Sequence, residues 1–599
     1  MTDDSTDPGE DAIDTGADEI DTGAETSDAA GEVAEPEADG EPDPVRPRWY
    51  RRFATWWHRD ITAFSYAGAI TATAFFWLSA TPSLLPRGAF FQGVVSGAAA
   101  AIGYGVGTFF AWLARYLVSR PTAWPRPPRW AWAALGTIAV AGTAVMFYWY
   151  IHWQNQIRDL MSVDRLGWGA APVVVLVAAF VFALLIVIGQ LWGAAVRSLT
   201  SRINRRVPRR ISAIASVTLM VVLSIFIVNG VVANYGMRAL NSSFAALNDE
   251  TNPDSDPPLS TLRSGGPESL MSWASLGRLG RSFVSTGPTR QDIAEFTGRP
   301  ADDPIRAYAG LDQNSNPRAT ADLVVREMQR TGAFERKLIG IGSSTGTGWI
   351  NQATVDSLEY MYGGDTTMVS MQYSTLPSWL SFLVDQQRAR NAGIALFEAV
   401  DKVVRSIPEA QRPLVVVFGE SLGSFGGESP FGSVPTLSAR TDGALFVGPT
   451  FSNTLWKETT ANRDSGSPEW LPEYQNGEMV RFISGKQDLR RRLGPWDHGR
   501  IVYLQHASDP ISWWSPELVL NKPDWLSEPR GPDVLDSVQW IPIVTFLQVA
   551  ADLAVAADVP DGHGHHYLEA IPWAWQAILE PPDWTDADTE RLVPLLHRD

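Results

Sequence analysis

Between residues 61 and 237 the chain holds five apolar stretches, Ile61–Ser83, Ala89–Leu113, Trp130–Ile151, Ala171–Val196 and Ile211–Tyr235. None of them contains an Asp, Glu, Lys or Arg. Each reaches the roughly 20 residues that a helix needs to cross a hydrocarbon core. A helix buried in a soluble domain rarely runs so far without a charge, so the pattern predicts a transmembrane domain of about five helices within residues 46–237. An odd number of crossings also puts the two ends of the chain on opposite sides of a bilayer.

The basic residues indicate which side is which. Arg46, Arg48, Arg51, Arg52 and Arg59 precede the first stretch, Arg115, Arg120, Arg126 and Arg129 surround the second connection, and Arg197, Arg202, Arg205, Arg206, Arg209 and Arg210 surround the fourth. The two opposite loops carry only Arg87, and Arg158 with Arg165 balanced by Asp159 and Asp164. Positive charge stays on the cytoplasmic side, so the N-terminus is expected inside and everything after residue 237 outside. The first stretch is too long for a cleaved signal peptide and reads as an uncleaved anchor. The second holds Gly93-x-x-x-Gly97 and Gly103-x-x-x-Gly107, spacings that let helix backbones approach closely, and is expected to pack within the molecule rather than to dimerise. With no ionisable residue in the stretches, an ion or proton pathway has nothing to use.

At 599 residues the chain is expected to form two or three domains. The net charge of −18 comes almost entirely from residues 1–44, which hold seventeen Asp and Glu and no Lys or Arg. So few large apolar residues cannot offset the ordering entropy, and residues 1–45 are expected to be a disordered acidic tail. The acidity therefore says nothing about a substrate. The absence of cysteine excludes disulfides, thiolate metal sites and cysteine nucleophiles.

Residues 238–303, rich in Ser, Gly, Pro and Asn, read as a linker and the start of a soluble domain, with strand character around Arg281–Val284. From 304 to 599 strands and helices alternate. Strands are predicted at Ile305–Leu311, Lys337–Ile341, Thr366–Gln372, Leu414–Phe418, Ala444–Val447, Val480–Ile483 and Ile501–Gln505. Helices are predicted at Ala319–Arg330, Thr354–Tyr362, Trp379–Val404, Trp540–Ala557 and Leu568–Ile578. Such alternation predicts a mostly parallel sheet with helices on both faces. A further strand, as short as Ala557–Pro560, is expected between the helix Trp540–Ala557 and the His loop.

The strand Leu414–Phe418 runs into Gly419-Glu420-Ser421-Leu422-Gly423, a Gly-x-Ser-x-Gly nucleophile elbow that exposes a serine on a tight strand-to-helix turn. The pattern occurs twice, the other match being Gly342-Ser343-Ser344-Thr345-Gly346. Chain order separates them: in this arrangement an oxyanion loop precedes the nucleophile, and the acid and the His follow it. Ser421 has strands on both sides, whereas Ser344 sits where the oxyanion loop belongs.

The segments Ser344-Thr345-Gly346-Thr347-Gly348-Trp349, Phe418-Gly419-Glu420-Ser421-Leu422-Gly423, Tyr503-Leu504-Gln505-His506-Ala507-Ser508-Asp509-Pro510 and Gly562-His563-Gly564-His565-His566-Tyr567 are similar to those of the actinobacterial membrane-anchored α/β-hydrolase family. The resemblance spans roughly residues 60–599 and implies an all-α transmembrane bundle followed by an α/β-hydrolase domain. It is not specific for a substrate.

A serine becomes nucleophilic when an imidazole accepts its proton and a carboxylate fixes that imidazole. The His loop before the last helices offers His565, with His563 as its rival, and Asp509 at the end of Ile501–Gln505 is the expected acid. Asp488 paired with His506 is the alternative. Three closely spaced imidazoles, His563, His565 and His566, also resemble a zinc cluster, but no metal or other cofactor is expected. The oxyanion hole is expected from the N–H of Leu422 and a second N–H at Ser344 or Thr345. Together these features predict an extracytoplasmic serine esterase, bound to the lipid bilayer through its multi-pass domain, whose substrate is a lipid or acylated envelope component. An acyltransferase using the same residues, a non-catalytic scaffold and, less well supported, a transporter are the alternatives. No nucleic-acid partner is expected.

Overall fold

A computed structural model describes residues 64–118, 127–205, 207–227, 230, 244, 247–311 and 316–597. The acidic tail, the basic lead into the first apolar stretch, Arg120, Arg126 and Arg206 lie outside these residues. Five apolar helices follow: α1 Tyr66–Leu78, α2 Ala89–Val118, α3 Arg129–Leu160, α4 Ala170–Ile203 and α5 Arg209–Phe226. Of these α2, α3 and α4, with 30, 32 and 34 residues, are long and apolar enough to cross a membrane. The first is shorter than its apolar stretch suggests. Ser65 caps it by accepting from the Gly68 amide, and it ends after 13 residues, about 20 Å. Pro82 and Pro86 lie just beyond, and a residue preceding proline is pushed out of the helical region, so Ser79–Gly88 forms a turn instead. Helix α5 starts after Pro208 and has 18 residues. Most of its predicted continuation to Tyr235 falls outside the described residues.

The two glycine pairs of α2 face different neighbours. A Cβ at Gly93 would lie 2.6 Å from Val177 and one at Gly97 2.6 Å from the Ala178 carbonyl, both on α4. On the other face a Cβ at Gly103 would lie 2.7 Å from the Thr71 carbonyl, and one at Gly107 2.6 Å from the Ala67 carbonyl, both on α1. Both contacts are intramolecular, and Thr71 adds a hydrogen bond of 2.7 Å to the Gly103 carbonyl.

The second half is built on seven strands: β1 Ile305–Ala309, β2 Leu338–Ser343, β3 Thr366–Met371, β4 Leu414–Glu420, β5 Gly443–Val447, β6 Val480–Ile483 and β7 Arg500–Leu504. Their order is β1-β3-β2-β4-β5-β7-β6, and every pairing is parallel. Parallel strands need crossovers, which here are mostly helical and cover both faces, so the strands read as continuous apolar runs rather than alternating ones. No strand forms at 557–560; that segment leads directly into the His loop.

Two local expectations are corrected. Arg281–Val284 is helical, within Gly277–Ser285, because Arg281 turns inward and donates to the Asn248 and Ala274 carbonyls while Phe283 and Val284 enter the core. The single helix expected over Trp379–Val404 is two, Ser378–Val384 and Gln386–Ser406, broken at Asp385, whose carboxylate accepts from Ser374 Oγ at 2.9 Å. The segment read as a linker is docked: Leu276, Phe283, Val284 and Ile293 belong to the same apolar core as the sheet.

Arg306 on β1 holds that docking. Fully buried, it pairs with Glu359 at 2.7 Å and Asp356 at 2.6 Å, and donates to the Phe283 carbonyl at 2.8 Å. Removing one partner of a buried ion network leaves the others uncompensated. Arg306→Ala is therefore expected to destabilise the protein by about 3–5 kcal/mol, measured as a fall in the unfolding midpoint of the full-length chain.

Candidate active site

Strand β4 ends at Glu420, and the chain turns at Ser421 into the helix Leu422–Glu428. Ser421 has φ 54° and ψ −122°, a region that side chains rarely occupy and that costs about 1–3 kcal/mol. Both flanking glycines are required by close approach. A Cβ at Gly419 would meet the Gly423 carbonyl at 2.2 Å, and one at Gly423 would meet the Ser343 carbonyl at 2.3 Å. The Ser421 amide donates to the Val447 carbonyl at the end of β5, at 2.9 Å.

The residue after β5, Gly448, has φ 50°, and a Cβ there would lie 2.3 Å from His565 Cε1. The imidazole therefore lies against the backbone one residue beyond the carbonyl that holds Ser421. His565 Nδ1 is 2.7 Å from Asp509 Oδ2, so Nδ1 carries the proton and donates it to the carboxylate. Asp509 follows β7 and is fully buried. Its Oδ2 also accepts from Tyr567 OH at 2.7 Å, and its Oδ1 accepts from the Ile511 amide at 2.8 Å as the cap of the helix Pro510–Trp513. This leaves His565 Nε2 as the free basic nitrogen, buried and without a hydrogen-bond partner among the described residues. Beside it, 3.9 Å away, is Oε1 of Glu420, the residue that precedes Ser421. Glu420 Oε2 accepts from Asn351 Nδ2 at 2.6 Å.

Burial alone disfavours the imidazolium of His565, but the Asp509 charge and hydrogen bond, with Glu420 behind them, hold its pKa above the ordinary histidine value. Burial likewise raises Glu420, against the opposing pull of His565 and Asn351.

The other sequence candidates are placed elsewhere. Ser344 donates its hydroxyl to the Met371 carbonyl at 2.8 Å, which occupies the group a nucleophile would use. The Thr345 amide donates to the Trp349 carbonyl at 3.0 Å, so Thr345 does not supply the free N–H expected of it; the loop closes into a turn instead. Leu422, at the first helical position after Ser421, and Ser344 remain as candidate oxyanion donors. Asp488 is absorbed in accepting from Ser484 N and Oγ. His506 stacks on Tyr567 at 4.1 Å and shares a hydrogen bond of 2.9 Å between its Nδ1 and the Gly564 carbonyl. Burial lowers its pKa, and it braces the His loop rather than pairing with Asp488. His563 is not at Asp509, and His566 Nδ1 is turned to the Val559 carbonyl at 2.9 Å.

Glu420, Asn351 and Tyr567 were not singled out from the sequence. Glu420 and Tyr567 both lie inside the motifs, and the signal was a carboxylate next to the candidate nucleophile and a phenol two residues after the candidate base. Beside the Ser344–Trp349 loop a cavity of about 340 Å³ has one wall of apolar side chains, among them Phe244, Leu247 and Trp349, and is otherwise lined by Asn248, Arg278, Thr345, Thr347 and Thr375.

A family model described as alpha/beta-hydrolase family matches residues 305–592. A second, described as alpha/beta-hydrolase family N-terminus, matches residues 80–288. No curated protein and no solved structure matches the chain.

The strained backbone at Ser421 makes a stability prediction independent of chemistry. Ser421→Gly relieves the positive φ and is expected to raise stability by about 1 kcal/mol. An unfolding midpoint equal to or below that of the wild type would contradict the strain.

Proposed function

The chain belongs to this alpha/beta-hydrolase family, and from that premise we propose that it is a membrane-anchored serine hydrolase acting on ester substrates through an acyl-serine intermediate. The observation that carries the reading is the 2.7 Å Asp509–His565 pair, with Nε2 left free beside a strained serine elbow.

Each residue then has one task. His565 Nε2 accepts the Ser421 proton as Oγ attacks the ester carbonyl, and Asp509 holds the imidazole in the tautomer this requires. The N–H groups of Leu422 and Ser344 receive the oxyanion, each such donor contributing about 3 kcal/mol to the transition state. The imidazolium returns its proton to the departing alcohol. Water, activated by the same nitrogen, then releases the acid. Transfer of the acyl group to another alcohol uses the same steps, so the products formed with and without added alcohol distinguish a hydrolase from a transferase.

Two features support an acyl or lipid ester of the cell envelope. One is the cavity beside the proposed oxyanion loop, whose lining combines apolar side chains for an acyl chain with polar ones for an ester or headgroup. The other is the position of the membrane helices. The turn Ser79–Gly88 and the loop after α3 touch the hydrolase domain: Leu84, Leu85 and Met161 share its apolar core. These are the arginine-poor connections, and the arginine-rich ones lie at the other ends of the long helices. The charge rule then favours an extracytoplasmic active site. A reporter fused after Asp599 that works only in the cytoplasm would reverse this.

A fluorophosphonate probe is expected to label the full-length protein in membranes and to fail with Ser421→Ala; labelling that persists in the variant removes Ser421 as nucleophile. The base must be neutral and its pKa is raised, so labelling is expected to fall as the pH drops through a value above about 6.5. Asp509→Asn removes the strongest stabiliser of the imidazolium. It is expected to shift the inflection downward and to reduce the plateau rate by about 10⁴. Glu420→Gln is expected to shift the inflection in the same direction with a much smaller loss of plateau rate.

A further inference from the structure

We infer that the turn Ser83–Arg87, between the first two membrane-side helices, is a positioning element for His565. It grips Asp552 and, through the short segment after it, holds the backbone of the base. This rests on the reading of His565 as the base of Ser421.

Asp552 closes the helix Val544–Asp552 and is fully buried. Its Oδ2 accepts from Ser83 Oγ and, at 3.2 Å, from the Leu84 amide. Its Oδ1 is 3.2 Å from Arg87 Nε, and both side chains are inaccessible to solvent. One turn earlier on the same helix, Gln548 Nε2 donates to the Thr81 carbonyl at 2.8 Å and the Ser79 carbonyl at 3.2 Å. Residues four apart share a helix face, so one face of this helix reads the whole turn. The turn is anchored from behind as well: Gln154 Oε1 accepts from the Arg87 amide at 2.9 Å, and Arg158 Nη2 donates to the Arg87 carbonyl at 3.3 Å, both from α3.

The connection to the site is short. Four residues after Asp552, the Ala556 carbonyl accepts from the His565 amide at 2.7 Å. Gly564, with φ 52°, lies between that carbonyl and Leu85. A Cβ on it would be 2.6 Å from Ala556 O and 3.3 Å from Leu85 Cδ2. The same turn therefore reaches the His loop twice, once through Asp552 and Ala556 and once through Leu85, which closes the space beside Gly564.

Stabilisation alone is a poor account of this junction. None of the three Arg87 guanidinium nitrogens has a hydrogen-bond partner among the described residues, and neither has Asp552 Oδ1, so the two side chains meet by charge alone. Burial pushes the Asp552 carboxyl up by more than Arg87, Ser83 and the turn amides pull it down. A buried pair of this kind gains little over apolar residues of equal volume, but its geometry fixes one register. Here the register is that of the catalytic loop on the membrane domain. Misplacing a reacting group by about 1 Å can cost about 10²-fold in rate.

The test is the inactivation kinetics of the full-length chain, in a bilayer, with a fluorophosphonate. Arg87→Ala and Asp552→Asn are expected to lower the maximal inactivation rate roughly 10- to 100-fold without changing the half-saturating probe concentration, and Arg87→Lys to recover much of the loss. Loss of one buried ion can unfold a protein, so thermal midpoints are measured alongside. Ser83→Ala, which keeps the ion pair and the core packing, is expected to show a smaller loss of the same kind, with a midpoint closer to wild type. Unchanged maximal rates in folded variants overturn the inference while leaving the serine mechanism standing. A wild-type protein that does not react at Ser421 overturns the mechanism and the inference with it.

Discussion

The structure depends on one close approach between backbones. The helix that follows Ser421 starts so near β2 and β4 that a single extra carbon at Gly419 or Gly423 would collide with a carbonyl. That contact forces Ser421 into φ 54° and lifts its hydroxyl out of the strand end. It also fixes where the other parts can be. In a parallel sheet all strands finish at the same edge, so β5 and β7 deliver Gly448 and Asp509 to the neighbourhood of β4 without a long excursion of the chain. The loop containing His565 then needs only to fall across that edge.

The apolar helices obey the same rule. In the bilayer proposed for them there is no hydrophobic gain in pairing two apolar helices, so association depends on close packing and small residues. Helix α2 places one glycine pair against α4 and the other against α1, which makes it the centre of that bundle. Its first turn follows directly from Arg87, so the position of α2 also sets the position of the Asp552 contact.

Much of this was legible in the residues. Runs such as Leu414–Phe418 and Ile501–Leu504, β-branched and bounded by turn residues, declare buried parallel strands because both faces are covered and no alternation is needed. Gly-x-Ser-x-Gly names the turn because only glycine tolerates the approach. Less legible was whatever depends on partners far away in sequence. Arg281 in a Gly- and Ser-rich stretch gives no helical signal until the Asn248 carbonyl takes its guanidinium. The break at Asp385 depends on Ser374. The amide of Thr345 looked available until the turn gave it the Trp349 carbonyl. His563 and His565 are equivalent on paper, and only the path of the loop over Gly448 separates them. The pair Arg87–Asp552 joins residues 465 positions apart, read from their numbers, and neither flank marks it.

The environment of His565 brings these strands of reasoning together. A base is most effective when its pKa lies near the working pH: too low and it accepts a proton weakly, too high and little of it is neutral. Burial lowers the pKa of His565 while Asp509 raises it, and those two influences alone would suffice for a triad. Glu420 adds a second carboxyl group 3.9 Å from Nε2, the nitrogen proposed to accept the proton. Its effect grows as the imidazolium forms, because attraction between opposite charges in a buried site is strong. The group that loses most by ionising there is Glu420 itself, whose own pKa burial raises. Asn351 offsets part of that cost with a hydrogen bond to the oxygen that does not face His565. The position between Gly419 and Ser421 is thus occupied by a residue whose backbone completes the strand and whose side chain stands to bias the proton, which links the packing constraint at the elbow to the chemistry proposed beside it.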